Sequence, residues 1–197
     1  RILSSAASDV YKRQAFIWTC LSTALWFFQL EIINNFTNDS AVKTQIFGRA
    51  DSMVPIITLA TQLLLTSYFL RSKYLGIRFV LTMYGVLFTV AFLGVSGYFS
   101  EYLLSASGIT LFLILQGTMR PFEYGLNKPA REAVFTTLST KEKYKSTVFI
   151  DTFTNRFGDA AGGLLFNSLL SFGLLLYAAP LAIIPLAIFL INLGWSI

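Results

Sequence analysis

VFIDTFTNRFGDAAGGLLF, residues 148–166, is apolar over most of its length yet holds Asp151, Arg156 and Asp159. A charge at the centre of a bilayer costs at least about 2.5–3.5 kcal/mol on insertion scales, so three on one such helix are not expected to face lipid. Read as a helix entering hydrocarbon near Thr147, the stretch puts Arg156 roughly 13 Å deep, close to the middle of a core about 30 Å thick. At about 100° per residue, Asp151, Thr152, Asn155, Arg156, Asp159 and Gly163 share an arc of about 160°; Ile150, Phe153, Phe157, Ala161 and Leu164 lie opposite. Arg156 and Asp159 are i,i+3 neighbours and are placed to pair. Two readings follow: a water-filled cavity in which Arg156 meets an anionic solute while the aspartates tune it, or a buried Arg–Asp network that locks helices together. Intramembrane ionisable groups are functional by default, which favours the first. Gly158 and Gly162 form a G-x-x-x-G pair, expected to serve close helix packing.

The whole chain has this character. Its 197 residues are 55% hydrophobic and 13% charged, with mean hydropathy +0.64, where a soluble domain carries about a quarter charged. It has no His and one Cys, Cys20. That removes the usual zinc ligands, an intrachain disulfide and every His-based catalytic constellation, so no metal, no cofactor and no enzymatic activity is expected. The net charge of +5 resides in basic residues beside apolar stretches, a membrane pattern that argues against a nucleic-acid partner. Ser4–Gln14 (SSAASDVYKRQ) matches the translation of a widely used tagmentation adapter. Residues 1–14 are therefore expected to be a library scar, and 15–197 a fragment of a longer protein.

Spans of about 20 apolar residues fall at Ala15–Asn34, within Ser40–Leu70, at Gly76–Tyr98, Leu103–Leu126, Lys141–Ser171 and Gly173–Trp195, the last interrupted by Pro180 and Pro185. The fold class expected is an all-α membrane protein with six transmembrane helices. Ser139-Thr140-Lys141-Glu142 has the form of a capping box and marks the fifth helix start. Arg71, Lys73 and Arg78 flank the second connection, and Lys128, Arg131, Lys141, Lys143 and Lys145 the fourth; the intervening loops are nearly free of basic residues. The positive-inside rule places both of these loops, and both ends of the fragment, in the cytoplasm. The fourth span carries a second polar cluster, Gln116, Arg120, Glu123 and Lys128, toward its cytoplasmic end, with Pro121 and Pro129 expected to bend or break it. Arg120 and Glu123 are again i,i+3. Gln29, Glu31 and Gln62 are weaker candidates.

Met119–Gly163 resembles the ATP/ADP translocase-like branch of the major facilitator superfamily, matching its pattern at Lys128, Pro129, Ala130, Arg131, Glu132, Lys143, Tyr144, Lys145, Asp151, Arg156 and Asp159. Phe27–Glu31 and Gln62–Gly76 are similar to that branch as well. The resemblance implies that these six helices are the C-terminal half of a twelve-helix major-facilitator-type fold, whose partner is the missing N-terminal six-helix half. It implies a secondary transporter of a small anionic solute of nucleotide type (ATP/ADP), working by alternating access in a bacterial inner membrane. The solute pathway would be formed by Arg156, Asp151, Asn155, Asp159, Arg120 and Glu123, and the cytoplasmic loop motif by Lys128, Arg131, Glu132, Lys143 and Lys145. Asp159 departs from the pattern: the nucleotide exchangers of the branch carry a lysine there, and a carboxylate works against a polyanion. A non-transporting membrane sensor or scaffold on a degenerate transporter fold is the alternative.

Overall fold

A computed structural model describes residues 2–66, 68–69, 76–100, 108–130 and 140–195. All regular structure among them is helical: α1 (Ile2–Phe36), α2 (Ser40–Thr61), α3 (Gly76–Phe99), α4 (Gly108–Phe122), α5 (Thr140–Phe149), α6 (Asn155–Ser171) and α7 (Ala179–Trp195). Single π-helical turns extend α2 (Gln62–Thr66), extend α4 (Glu123–Asn127) and join α5 to α6 (Ile150–Thr154). Among the described residues each expected span contains helix, the last of them only from Ala179 onward. Two segments, Lys12–Phe36 and Arg78–Phe99, are long and apolar enough to cross a membrane, and Ala179–Trp195 is a shorter apolar helix.

α1 is the hub. Its positions Ile17, Leu21, Ala24, Leu25, Phe28 and Ile32 recur at helical spacing and are buried against Tyr84, Phe88, Ala91, Phe92 and Val95 of α3, Ile183, Ala187 and Leu190 of α7, and Phe166 of α6, the stripe an amphipathic helix presents to a core. The most extensive pairings are α3 with α7, α1 with α6 and α2 with α4, followed by α1 with α7 and with α4. Glycines set the closest approaches. A Cβ on Gly85 would lie 2.8 Å from Ile191 N in α7. One on Gly158 would lie 2.7 Å from Thr19 Cβ, and one on Gly162 2.8 Å from Thr23 Cβ, so the G-x-x-x-G pair is the seam against α1.

Local chemistry explains the helix ends. Asp39 caps α2, its carboxylate accepting from Ala41 N at 2.8 Å, which satisfies one orphan donor of the first turn. The final span departs from expectation: turns occupy residues 172–178 and α7 starts at Ala179. Pro180 does not interrupt it but lies in its first turn, where the missing N–H has no intrahelical partner to lose; Pro185 lies inside. α5 starts at Thr140, and Ser139 lies outside the described residues.

α4 is neither broken by Pro121 nor ended by Pro129, and the reason is carbonyl supply. Lys128 N donates to Glu123 O, one residue further back than in an α-helix, so Tyr124 O loses its usual donor. Pro129 has no N–H for Gly125 O. Both orphans are taken by the π turn of α2: Gln62 Nε2 donates to Tyr124 O at 3.1 Å, and Thr66 Oγ1 donates to Gly125 O. Gly125 allows this contact, since a Cβ there would lie 2.7 Å from Thr61 Cγ2. Two irregular helices thus brace each other.

Candidate functional site

Between α1, α4 and α6 opens a cavity of about 370 Å³, walled by Ser22, Thr23, Trp26 and Gln29 of α1, Gln116, Met119 and Arg120 of α4, and Asp159 of α6, with Phe88 of α3 also lining it. Thr23 stands one residue from the midpoint of the apolar segment Lys12–Phe36, so Asp159, bonded to it, and the cavity that Asp159 and Arg120 line lie near the middle of that segment.

Neither i,i+3 pair forms. Asp159 Oδ1 accepts from Thr23 Oγ1 at 2.8 Å, and among the described residues it has no ion pair with Arg156. The cause is the glycine seam, which brings α1 close enough for its hydroxyls to reach across; Thr19 Oγ1 likewise donates to Asn155 Oδ1 at 3.2 Å. Arg120 Nη1 contacts Asp51 Oδ1 of α2 at 2.6 Å, with both side chains about half exposed (46% and 62%). Glu123 instead accepts from Asn127 Nδ2 at 2.6 Å across the π turn and faces the Tyr84 hydroxyl, which also donates to Met119 O at 3.1 Å.

The floor of the cavity is an amide pair. Gln116 Nε2 donates to Gln29 Oε1 at 2.6 Å, both side chains being almost fully buried. Gln116 Oε1 is buried with no hydrogen-bond partner among the described residues, and an orphaned acceptor of this kind costs about 1–3 kcal/mol until a donor reaches it.

Of the residues expected in the pathway, the structure brings Arg120 and Asp159 together in one cavity. Asn155 lies one turn away, in the α1 seam. Arg156 is exposed on the flank of α6 beyond Asp159 and is not a wall of the cavity. Glu123 sits one turn below Arg120. The backbone of Asp151 belongs to the π turn, while its side chain lies outside the described residues, as do Arg131 and Glu132 altogether. Lys128, Lys143 and Lys145 are exposed. Asp51, the partner of Arg120, was not singled out from sequence; its only signal is a lone carboxylate just ahead of the apolar part of α2. Among the described residues no cluster of His, Cys, Asp or Glu could hold a metal ion.

Fold and site define a class: an all-helical protein with two helices fit to cross a membrane and a charged, amide-floored cavity against one of them. No family model matches the chain, and no curated protein or solved structure matches it.

Proposed function

We propose that the chain is the C-terminal six-helix half of a major-facilitator-type secondary transporter, moving a small solute with an anionic group by alternating access across a bacterial inner membrane. The observation that carries this reading is the cavity near the middle of the apolar segment Lys12–Phe36, lined by both Arg120 and Asp159. The helix pairing supports it. Exchanging α1, α2 and α3 with α4, α5–α6 and α7 turns the α1–α6 pair into the α4–α2 pair, returns α3–α7 to itself, and turns α1–α7 into α4–α3, all of which are in contact. Two inverted three-helix repeats, of the kind nested in one half of such transporters, would give this pairing. Outward-facing apolar side chains support a lipid surround: Ile56, Leu63 and Leu64 on α2 with its π turn and Phe157 and Leu164 on α6 are largely exposed.

In this reading Arg120 receives the anionic group, with Arg156 as a second cation along the approach. The test is counterflow in proteoliposomes holding the full-length protein, with labelled ADP, phosphate and small organic anions. Uptake of at least one, lost in Arg120→Ala, is the expected result. Failure of the intact protein to move any of them, or undiminished uptake by Arg120→Ala, overturns the proposal.

A further inference from the structure

We infer that the cavity accepts a zwitterionic solute, its acidic group held by Arg120 and a cationic group, an ammonium, held by Asp159. The inference rests on the transporter reading above and narrows the class of solute within it.

The two charges occupy different walls of one cavity, Arg120 on α4 and Asp159 on α6. Each is anchored by a side chain of another helix, Arg120 by Asp51 of α2 and Asp159 by Thr23 of α1. Asp51 takes Nη1 of Arg120 at 2.6 Å, and of the five guanidinium N–H donors the rest have no partner among the described residues. The fork is therefore oriented but not saturated. Asp159 accepts a single bond, from Thr23 Oγ1 at 2.8 Å, whereas a carboxylate has about four acceptor positions. It too is positioned and left with capacity, and no cation of the described residues pairs with it.

Charge decides the solute. Arg120 is already balanced by Asp51, so Asp159 is the uncompensated charge in the wall. Counting Arg156 on the flank brings the local sum only to neutral. Neither sum favours a polyanion: the first, a single negative charge, calls for a cationic group beside Asp159, and the second, zero, suits a molecule that also brings a negative group to Arg120, so that opposite charges are matched at the two walls. The floor of Gln29 and Gln116 and the hydroxyl of Thr23 add neutral polar contacts.

The experiment uses the full-length protein in nanodiscs and probe pairs that differ only in the amino group: phosphoethanolamine and ethyl phosphate, β-alanine and propionate, γ-aminobutyrate and butyrate. At least one zwitterion should bind about tenfold more tightly than its deaminated partner, the worth of one charged hydrogen bond. Asp159→Asn should erase that ratio and leave the deaminated partner bound as well or better, and Asp159→Lys should invert it. Thr23→Val removes the hydroxyl without touching the charge and should keep the preference, which separates loss of charge from loss of packing. Deaminated partners binding as tightly as the zwitterions in every pair would overturn this inference and leave the transporter reading standing. Binding of no member of any pair would overturn it as well; if labelled ADP and phosphate also stayed outside proteoliposomes, the transporter reading would fall with it.

Discussion

Replacing Gly162 by Ala tests the seam on which the site geometry depends. The added methyl would stand 2.8 Å from Thr23 Cβ and 3.2 Å from Ala24 N, and closer than 3.0 Å to the backbone oxygen of Cys20. A backbone carbonyl cannot rotate away, so α1 and α6 must separate. Reaching an ordinary 3.4 Å contact with Thr23 needs at least about 0.6 Å. The same displacement stretches the Thr23–Asp159 bond from 2.8 Å to the edge of hydrogen-bonding distance. Overpacking of this kind costs about 1–3 kcal/mol, and the exposed hydrogen bond adds little, which gives about 2 kcal/mol in total and a melting midpoint lower by about 4–8 °C for a chain of this size. Gly163→Ala is the internal control, since its methyl meets only the edge of the Phe27 ring, Cε2 at 3.4 Å and Cζ at 3.8 Å, and its helix propensity improves. Thermal unfolding of full-length variants in nanodiscs, with a cysteine cross-link between α1 and α6 as a distance reporter, gives the readout. Equal midpoints for the two alanine variants would refute the argument that Gly162 is held by backbone contact.

The brace between α2 and α4 predicts that Thr66→Val destabilises by about 1–3 kcal/mol, because Gly125 O is then left without a donor and Pro129 cannot supply one; a midpoint unchanged from the wild type would sink the carbonyl argument. Gly48→Ala should act in the opposite direction, raising stability by about 0.5–1 kcal/mol in the same assay, since a methyl there meets nothing within 4 Å and lies inside α2. A cysteine placed at position 141 should react with an impermeant maleimide only from the cytoplasmic side of intact cells; labelling from outside would reverse the topology inferred from Lys and Arg.

What could be read from the sequence was periodicity and exclusion. The apolar runs located the helices, and the spacing of Gly158 and Gly162 correctly indicated a packing seam, because small residues one turn apart matter only where another backbone approaches. Partner choice was beyond that reach. Helical spacing put Arg156 beside Asp159 and Arg120 beside Glu123, but it describes one helix alone and says nothing of Thr23 or Asp51 on neighbouring helices. A carboxylate with a short hydroxyl delivered across a glycine seam takes that bond in preference to a long, flexible arginine that would lose rotamer freedom. Pro129 held a signal that was legible in principle: a helix that continues through a proline must find a donor for the carbonyl four residues earlier. The side chains that answer, Gln62 and Thr66, are separated from it by about sixty positions, and no local pattern connects them.

The contacts also divide in a way that bears on movement. Thr23–Asp159 and Thr19–Asn155 lie within the α1–α6 pair, whereas Arg120–Asp51, Gln62–Tyr124 and Thr66–Gly125 lie within the α2–α4 pair. Each charged group of the cavity is thus tied to its own pair. Between α1 and α4 the described polar link is the single amide bond from Gln116 to Gln29. Sliding one pair against the other would exchange that bond together with apolar contacts such as those of Ile33 with Ile46, Ala50 and Phe112, and the acceptor orphaned on Gln116 means the observed arrangement is not the best that this amide can make. A solute spanning Arg120 and Asp159 would bridge the two pairs at the level where they separate. Binding energy would then act directly on the spacing of the pairs, which is the differential contact that a ligand needs in order to shift a conformational equilibrium.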